Sequence, residues 1–130
     1  MDALVGLLAA VVGLAVVAGS THYLRNATAS GALERNALVG LRTSATMASD
    51  EGWREGHRAA GPWLTATVRL GYLAAAAAAV SALAGLSTAL FLSLAWAVVA
   101  VAYPVLLGLL ITGTVIAHRA AGDARRAGSR

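Results

Sequence analysis

The side chains best suited to chemistry concentrate between Asn36 and His57, in a chain that is 58% apolar. Arg42 offers a planar five-donor fork that suits a carboxylate or a phosphate. Asn36, Thr43 and Thr46 supply neutral donors and acceptors around it. Gly40 permits close backbone approach or a positive φ. Two uses fit this set. It could cradle an anionic group, such as a lipid headgroup or a peptide C-terminus. Alternatively, it locks the loop to itself and caps helix ends, because buried loop backbone must find hydrogen-bond partners. Trp53 reads as an interfacial anchor rather than a stacking platform. Asp50, Glu51 and Glu55 read as a solvated, ion-paired helix face rather than a paired-carboxylate site.

The three histidines, His22, His57 and His118, are remote in sequence, yet a helical topology brings them to one membrane interface. Three imidazoles with a water or Asp50 would suit zinc. Three ligands also need matched directions and a supporting shell of hydrogen bonds. No metal and no other cofactor is therefore expected, and His57 is expected to hydrogen-bond within the motif, to a loop carbonyl or to Asn36. The chain has no nucleophile elbow, no Gly-rich phosphate loop and no Ser-His-Asp context. No enzyme is expected.

Several elements must position this stretch. A mean hydropathy of +0.72 places the chain among membrane proteins. Ala3 to Leu24 carries no charge over 22 residues, enough to cross a hydrocarbon core of roughly 20 residues' reach. Its start lacks the basic residues of a signal peptide, so it reads as a retained helix, and Gly6 and Gly13 share a face that could admit a neighbour. Ser49 reads as an N-cap, with Asp50 and Glu51 complementing the helix dipole. Trp53, His57, Ala60 and Leu64 then recur on one face of a short amphipathic helix, and Gly61-Pro62 should break or bend it. Trp63–Leu86 and Ala89–Ala117 are the second and third spans, and Pro104 should kink the third. The expected fold is an all-α membrane protein, one domain over 1–130. It has spans at about 3–24, 63–86 and 89–117, a motif loop at 25–62 holding the amphipathic helix, and a basic tail at 118–130 that is disordered from Asp123 on.

Asn36, Gly40, Arg42-Thr43, Thr46, Trp53 and His57-Arg58, in that order and spacing, resemble the signature of the SdpI family. These are small integral membrane proteins named for a bacterial protein that gives immunity to a secreted killing peptide. Two residues depart from the family pattern. Ser44 stands where proline usually follows Arg-Thr, and Arg35 where proline often precedes the asparagine. Both should loosen the loop. The resemblance implies a bacterial inner-membrane protein that binds a peptide toxin or a cytoplasmic regulator, in immunity or signalling. The alternative is a lipid or small anionic ligand site at the cytoplasmic interface, with or without catalysis.

Charge sets the expected orientation. All ten basic residues are arginines, and nine lie in the first loop or the tail: Arg25, Arg35, Arg42, Arg54, Arg58, Arg119, Arg125, Arg126 and Arg130. The positive-inside rule puts loop and tail in the cytoplasm and the N-terminus outside. In a membrane protein this excess speaks for topology and not for nucleic-acid binding. Membrane lipid is the expected partner, and three helices with small-residue faces could also form a homo-oligomer. The chain has no cysteine, which excludes disulfides and thiolate metal sites.

Overall fold

The computed structural model describes residues 2–35 and 39–129. Three helices, α1 (Asp2–Ala29), α2 (Asp50–Ala84) and α3 (Ala89–Gly128), are each long and apolar enough to cross a membrane. A single 3₁₀ turn, Thr46–Ala48, interrupts the loop between α1 and α2. No strand occurs among the described residues.

α2 is the central element, packed along α3 and against α1, while α1 and α3 touch less. The core between the helices is built from small residues, with Ala75, Ala78, Ala82, Ala95 and Ala102 beside Leu7, Leu14, Val99 and Leu106. Small side chains let helix backbones approach closely where lipid removes any hydrophobic gain from association. The large apolar side chains point outward instead. Val12, Leu73, Val80, Leu83, Val101 and Leu107 are all exposed, which suits a surface solvated by acyl chains. Hydroxyls within the helices bond the carbonyl four residues back, as Thr67 does to Trp63 (2.9 Å) and Thr114 to Leu110 (2.8 Å). Gly6 faces Trp96 and Gly13 faces Tyr103, whose hydroxyl donates to the Ala10 carbonyl (2.9 Å) and ties α3 to α1.

The helices overrun the expected spans. α1 continues through Arg25 to Ala29, with the Thr28 hydroxyl bonded to the Leu24 carbonyl (2.8 Å), and the chain turns only at Gly31 (φ 72°). The separate amphipathic helix does not exist as such. It is the first part of α2, which runs unbroken through Pro62. Gly61 explains this: proline disfavours helix in the residue before it partly through that residue's Cβ, and glycine has none. Pro62 costs α2 only the amide that would bond the Arg58 carbonyl. α3 likewise runs through Pro104 as one helix. Residues 123–128 of the tail are helical and not disordered, because α3 continues to Gly128. Ala121 in this extension and Ala117 just before it are buried against the start of α2.

That contact is a small-residue zipper. Gly52, Gly56 and Ala60 recur every fourth residue on α2, and Gly113, Ala117 and Ala121 do so on α3. A Cβ on Gly56 would lie 2.8 Å from the Ala117 carbonyl oxygen, and one on Gly52 3.5 Å from the Ala121 Cβ. The zipper brings the charged end of α2 and the end of α3 together and makes the bed for the loop.

Candidate functional site

The loop is anchored through Leu41. Its side chain is buried with Leu24, Ala60, Leu64 and Ala117. Both of its backbone polar groups are held by motif side chains. The Leu41 N–H donates to His57 Nε2 (2.8 Å), and its carbonyl accepts from the Thr46 hydroxyl (2.7 Å). Thr46 is fully buried and also accepts from the Thr43 N–H (2.9 Å), while the Thr43 hydroxyl accepts from the Thr46 N–H (3.2 Å). The two threonines thus close a small reciprocal ring that shapes the turn before α2. Ser49 then caps the helix, accepting from the Gly52 N–H (3.0 Å), with Asp50 and Glu51 in the first turn.

His57 is 1% exposed. Its Nδ1–H donates to the Trp53 carbonyl (2.8 Å), and with Nε2 accepting from Leu41 the ring is a neutral Nδ1–H tautomer, inferred from these partners. The first nine residues of α2 hold five charged side chains, so His57 lies in a charged stretch outside the apolar run that follows Pro62. Burial pushes the His57 pKa below its ordinary 6.5, and the bond to the Trp53 carbonyl offsets this only in part.

Trp53 is no interfacial anchor. It is 2% exposed, its ring lies against His57 (centroids 4.2 Å apart, planes at 45°), and its indole N–H donates to the Leu33 carbonyl (2.9 Å). Gly40 crosses over this pair at φ 143°. A Cβ there would collide with the Trp53 ring and reach within 3.1 Å of His57 Nε2. Trp53 and His57 therefore form the floor on which the loop lies, and Gly40 is the residue that lets it lie flat.

Arg35 tightens the loop where loosening was expected. Its guanidinium donates to the Met47 carbonyl (2.9 Å), and its Nε stands 2.8 Å from the Asp50 carboxylate. An arginine that links both ends of the loop takes the place of a rigid proline. Ser44, the other departure, is exposed. Arg42 lies on the exposed side of the loop and has a partner of its own. Arg58 is exposed and pairs with Glu55 (3.1 Å). Asn36 lies outside the described residues.

The structure does not assemble Arg42, Thr43 and Thr46 into an open anion cradle, because the threonines are spent on the loop itself. Nor does it assemble a zinc site. Both His57 nitrogens are occupied, His22 meets the Tyr72 hydroxyl edge-on (3.4 Å), and His118 is exposed. Among the described residues no three His, Cys, Asp or Glu side chains are placed to hold a metal ion.

A cavity of about 940 Å³ opens beside this floor, between the end of α1, the loop and the start of α2. Trp53, His57 and Leu64 line it, together with four arginines, Arg25, Arg35, Arg54 and Arg58, and two acids, Glu34 and Asp50. Arg58 belongs to the motif, and the structure brings Arg25, Arg35 and Arg54 to the same cavity. The signal was available in part, since these arginines flank both ends of the loop. Their convergence depends on α1 and α2 folding back on each other, which local pattern does not show.

The family comparison agrees with the motif. A model of the SdpI/YfhL protein family matches residues 32–118, which takes in the loop, all of α2 and most of α3. No curated protein and no solved structure matches the chain. The chain belongs to the SdpI/YfhL protein family.

Proposed function

We propose that this chain is an integral membrane interaction protein of the SdpI type, which gives immunity to a peptide toxin or passes a signal by binding a peptide or a cytoplasmic regulator. One observation carries the reading: the motif side chains are spent on fastening the loop to α2. Thr46 and His57 clamp Leu41, and Trp53 holds Leu33. The result is a rigid plate on the helix that contacts both others. In this reading the protein binds and does not catalyse. It sits in the bacterial inner membrane with the plate facing the cytoplasm, so a toxin arriving from outside meets the spans, and a displaced span moves the plate. The test is expression in a sensitive bacterium challenged with a membrane-active killing peptide. Resistance is expected, and Thr46→Val should reduce it at equal membrane levels. Unchanged sensitivity with normal membrane insertion would count against immunity.

A second reading, a lipid or small anionic ligand at the same interface, is favoured by the arginine-lined cavity.

A further inference from the structure

We infer that the cavity between α1, the loop and α2 is a phosphate site that holds the headgroup of an anionic phospholipid. This rests on the second reading above and gives it residues and a ligand class. Charge points to an anion. Four guanidinium groups line the cavity against two carboxylates; Arg35 is paired with Asp50 at 2.8 Å and Arg58 with Glu55 at 3.1 Å, which leaves Arg25 and Arg54 against Glu34. Arg54 makes no hydrogen bond or ion pair with any described residue. Arg25 is pre-set at the inner edge, its Nε donating to the Thr65 hydroxyl (3.0 Å) and another nitrogen to the Asn26 side chain (3.1 Å). Planar forks of this kind match phosphate oxygens in a bidentate way.

Depth points to a lipid. Arg25 is the first charge after the apolar run of α1, so it marks the edge of the hydrocarbon. Its bond to Thr65 fixes that level on α2. Arg58 and Arg54 precede Thr65 by seven and eleven residues, which puts them roughly 10 and 16 Å farther out at 1.5 Å per residue. A headgroup layer is about 5–8 Å deep on each side of a bilayer. The arginines therefore bracket the layer where lipid phosphates lie, with arginine side chains long enough to reach back into it. Leu64, next to Thr65 and so at the level of Arg25, gives the cavity apolar wall for the glycerol and upper acyl chain. The volume, about 940 Å³, is that of a small-molecule pocket and larger than a bare phosphate needs.

The experiment uses the full chain in phosphatidylcholine bilayers containing a minority of spin-labelled phosphatidylglycerol, with selectivity read against spin-labelled phosphatidylcholine. Phosphatidylglycerol should be preferred. Arg54→Gln and Arg58→Gln, both at exposed positions, should each weaken the preference about tenfold, the loss of one charge-assisted hydrogen bond. Arg125→Gln, on the far end of α3, should leave it unchanged. Equal losses from all three variants would overturn the site, since that is general attraction to a basic surface. Binding of inorganic phosphate in pure phosphatidylcholine, with no selection among lipids, would overturn the lipid and keep the phosphate chemistry. Selectivity lost in Arg42→Gln but kept in Arg54→Gln and Arg58→Gln would overturn the cavity while sparing the anionic-ligand reading. No selectivity and no phosphate binding would end both.

Discussion

At the scale of single residues, Leu41 shows how much depends on few atoms. Its buried N–H and carbonyl each have one side-chain partner, His57 and Thr46. An orphaned buried polar group costs about 1–3 kcal/mol. Thr46→Val keeps the shape but orphans the Leu41 carbonyl and the Thr43 N–H, so the loop should become sensitive to protease in detergent, with thermal unfolding at lower temperature. Gly40→Ala should cost about 2–4 kcal/mol, from a strained backbone and from contact with the Trp53 ring. Protonation of His57 would destroy the Nε2 acceptor that holds Leu41. Its pKa is lowered in the folded chain, so its stabilising contribution is complete above the ordinary value of 6.5. That contribution is lost as pH falls from there through the folded value. Protease cutting of the loop should therefore rise on acidification below about pH 6.5. His57→Gln should flatten that dependence, and a pH profile identical to the parent would sink this role.

At the scale of elements, the zipper between α2 and α3 decides how closely the charged ends of the two helices approach. Gly56→Ala puts a methyl against the Ala117 carbonyl and the Thr46 side chain, both at 2.8 Å. Neither a helix backbone nor a fully buried threonine can step aside cheaply, so a loss of about 1–3 kcal/mol is expected. Gly61→Ala, one turn farther along, faces open space. That alanine also sits before Pro62, where its Cβ is disfavoured in a helix. Pro62→Ala removes the conflict, so the pair Gly61→Ala/Pro62→Ala should match or exceed the parent in helix content and thermal stability. A destabilised double variant would show that the kink-prone pair is needed for packing.

At the scale of the whole molecule, three helices are long and apolar enough to cross a membrane, and arginine placement predicts which way. With the loop and the end of α3 in the cytoplasm, Ser30→Cys should resist a membrane-impermeant thiol reagent in intact cells, and Ser87→Cys should react. The parent has no cysteine, so the labels are unambiguous. The reverse pattern would move the plate and its cavity to the outer face, where a secreted peptide could reach them directly.

The sequence by itself determined the class, the presence of three helices long enough to span a membrane, the Ser49 cap and the family. Each follows from a local quantity: an uncharged run of sufficient length, a capping residue before acidic residues, or a motif at fixed spacing. It also showed that Trp53, His57, Ala60 and Leu64 share a face, and all four are buried. Tertiary structure alone decided what that face touches. Trp53 became a floor because Gly40 folds back over it, and His57 an acceptor because the Leu41 amide arrives at its Nε2. Pro62 lies within a continuous helix because Gly61 relieves the steric conflict and neighbouring helices support both sides. The last turns of α3 became ordered because Ala117 and Ala121 meet Gly56 and Gly52, a match between two stretches some sixty residues apart. Arginines from α1, the loop and α2 line one cavity for the same reason. Helix formation depends on neighbours along the chain, whereas burial, charge convergence and hydrogen-bond partners depend on neighbours in space.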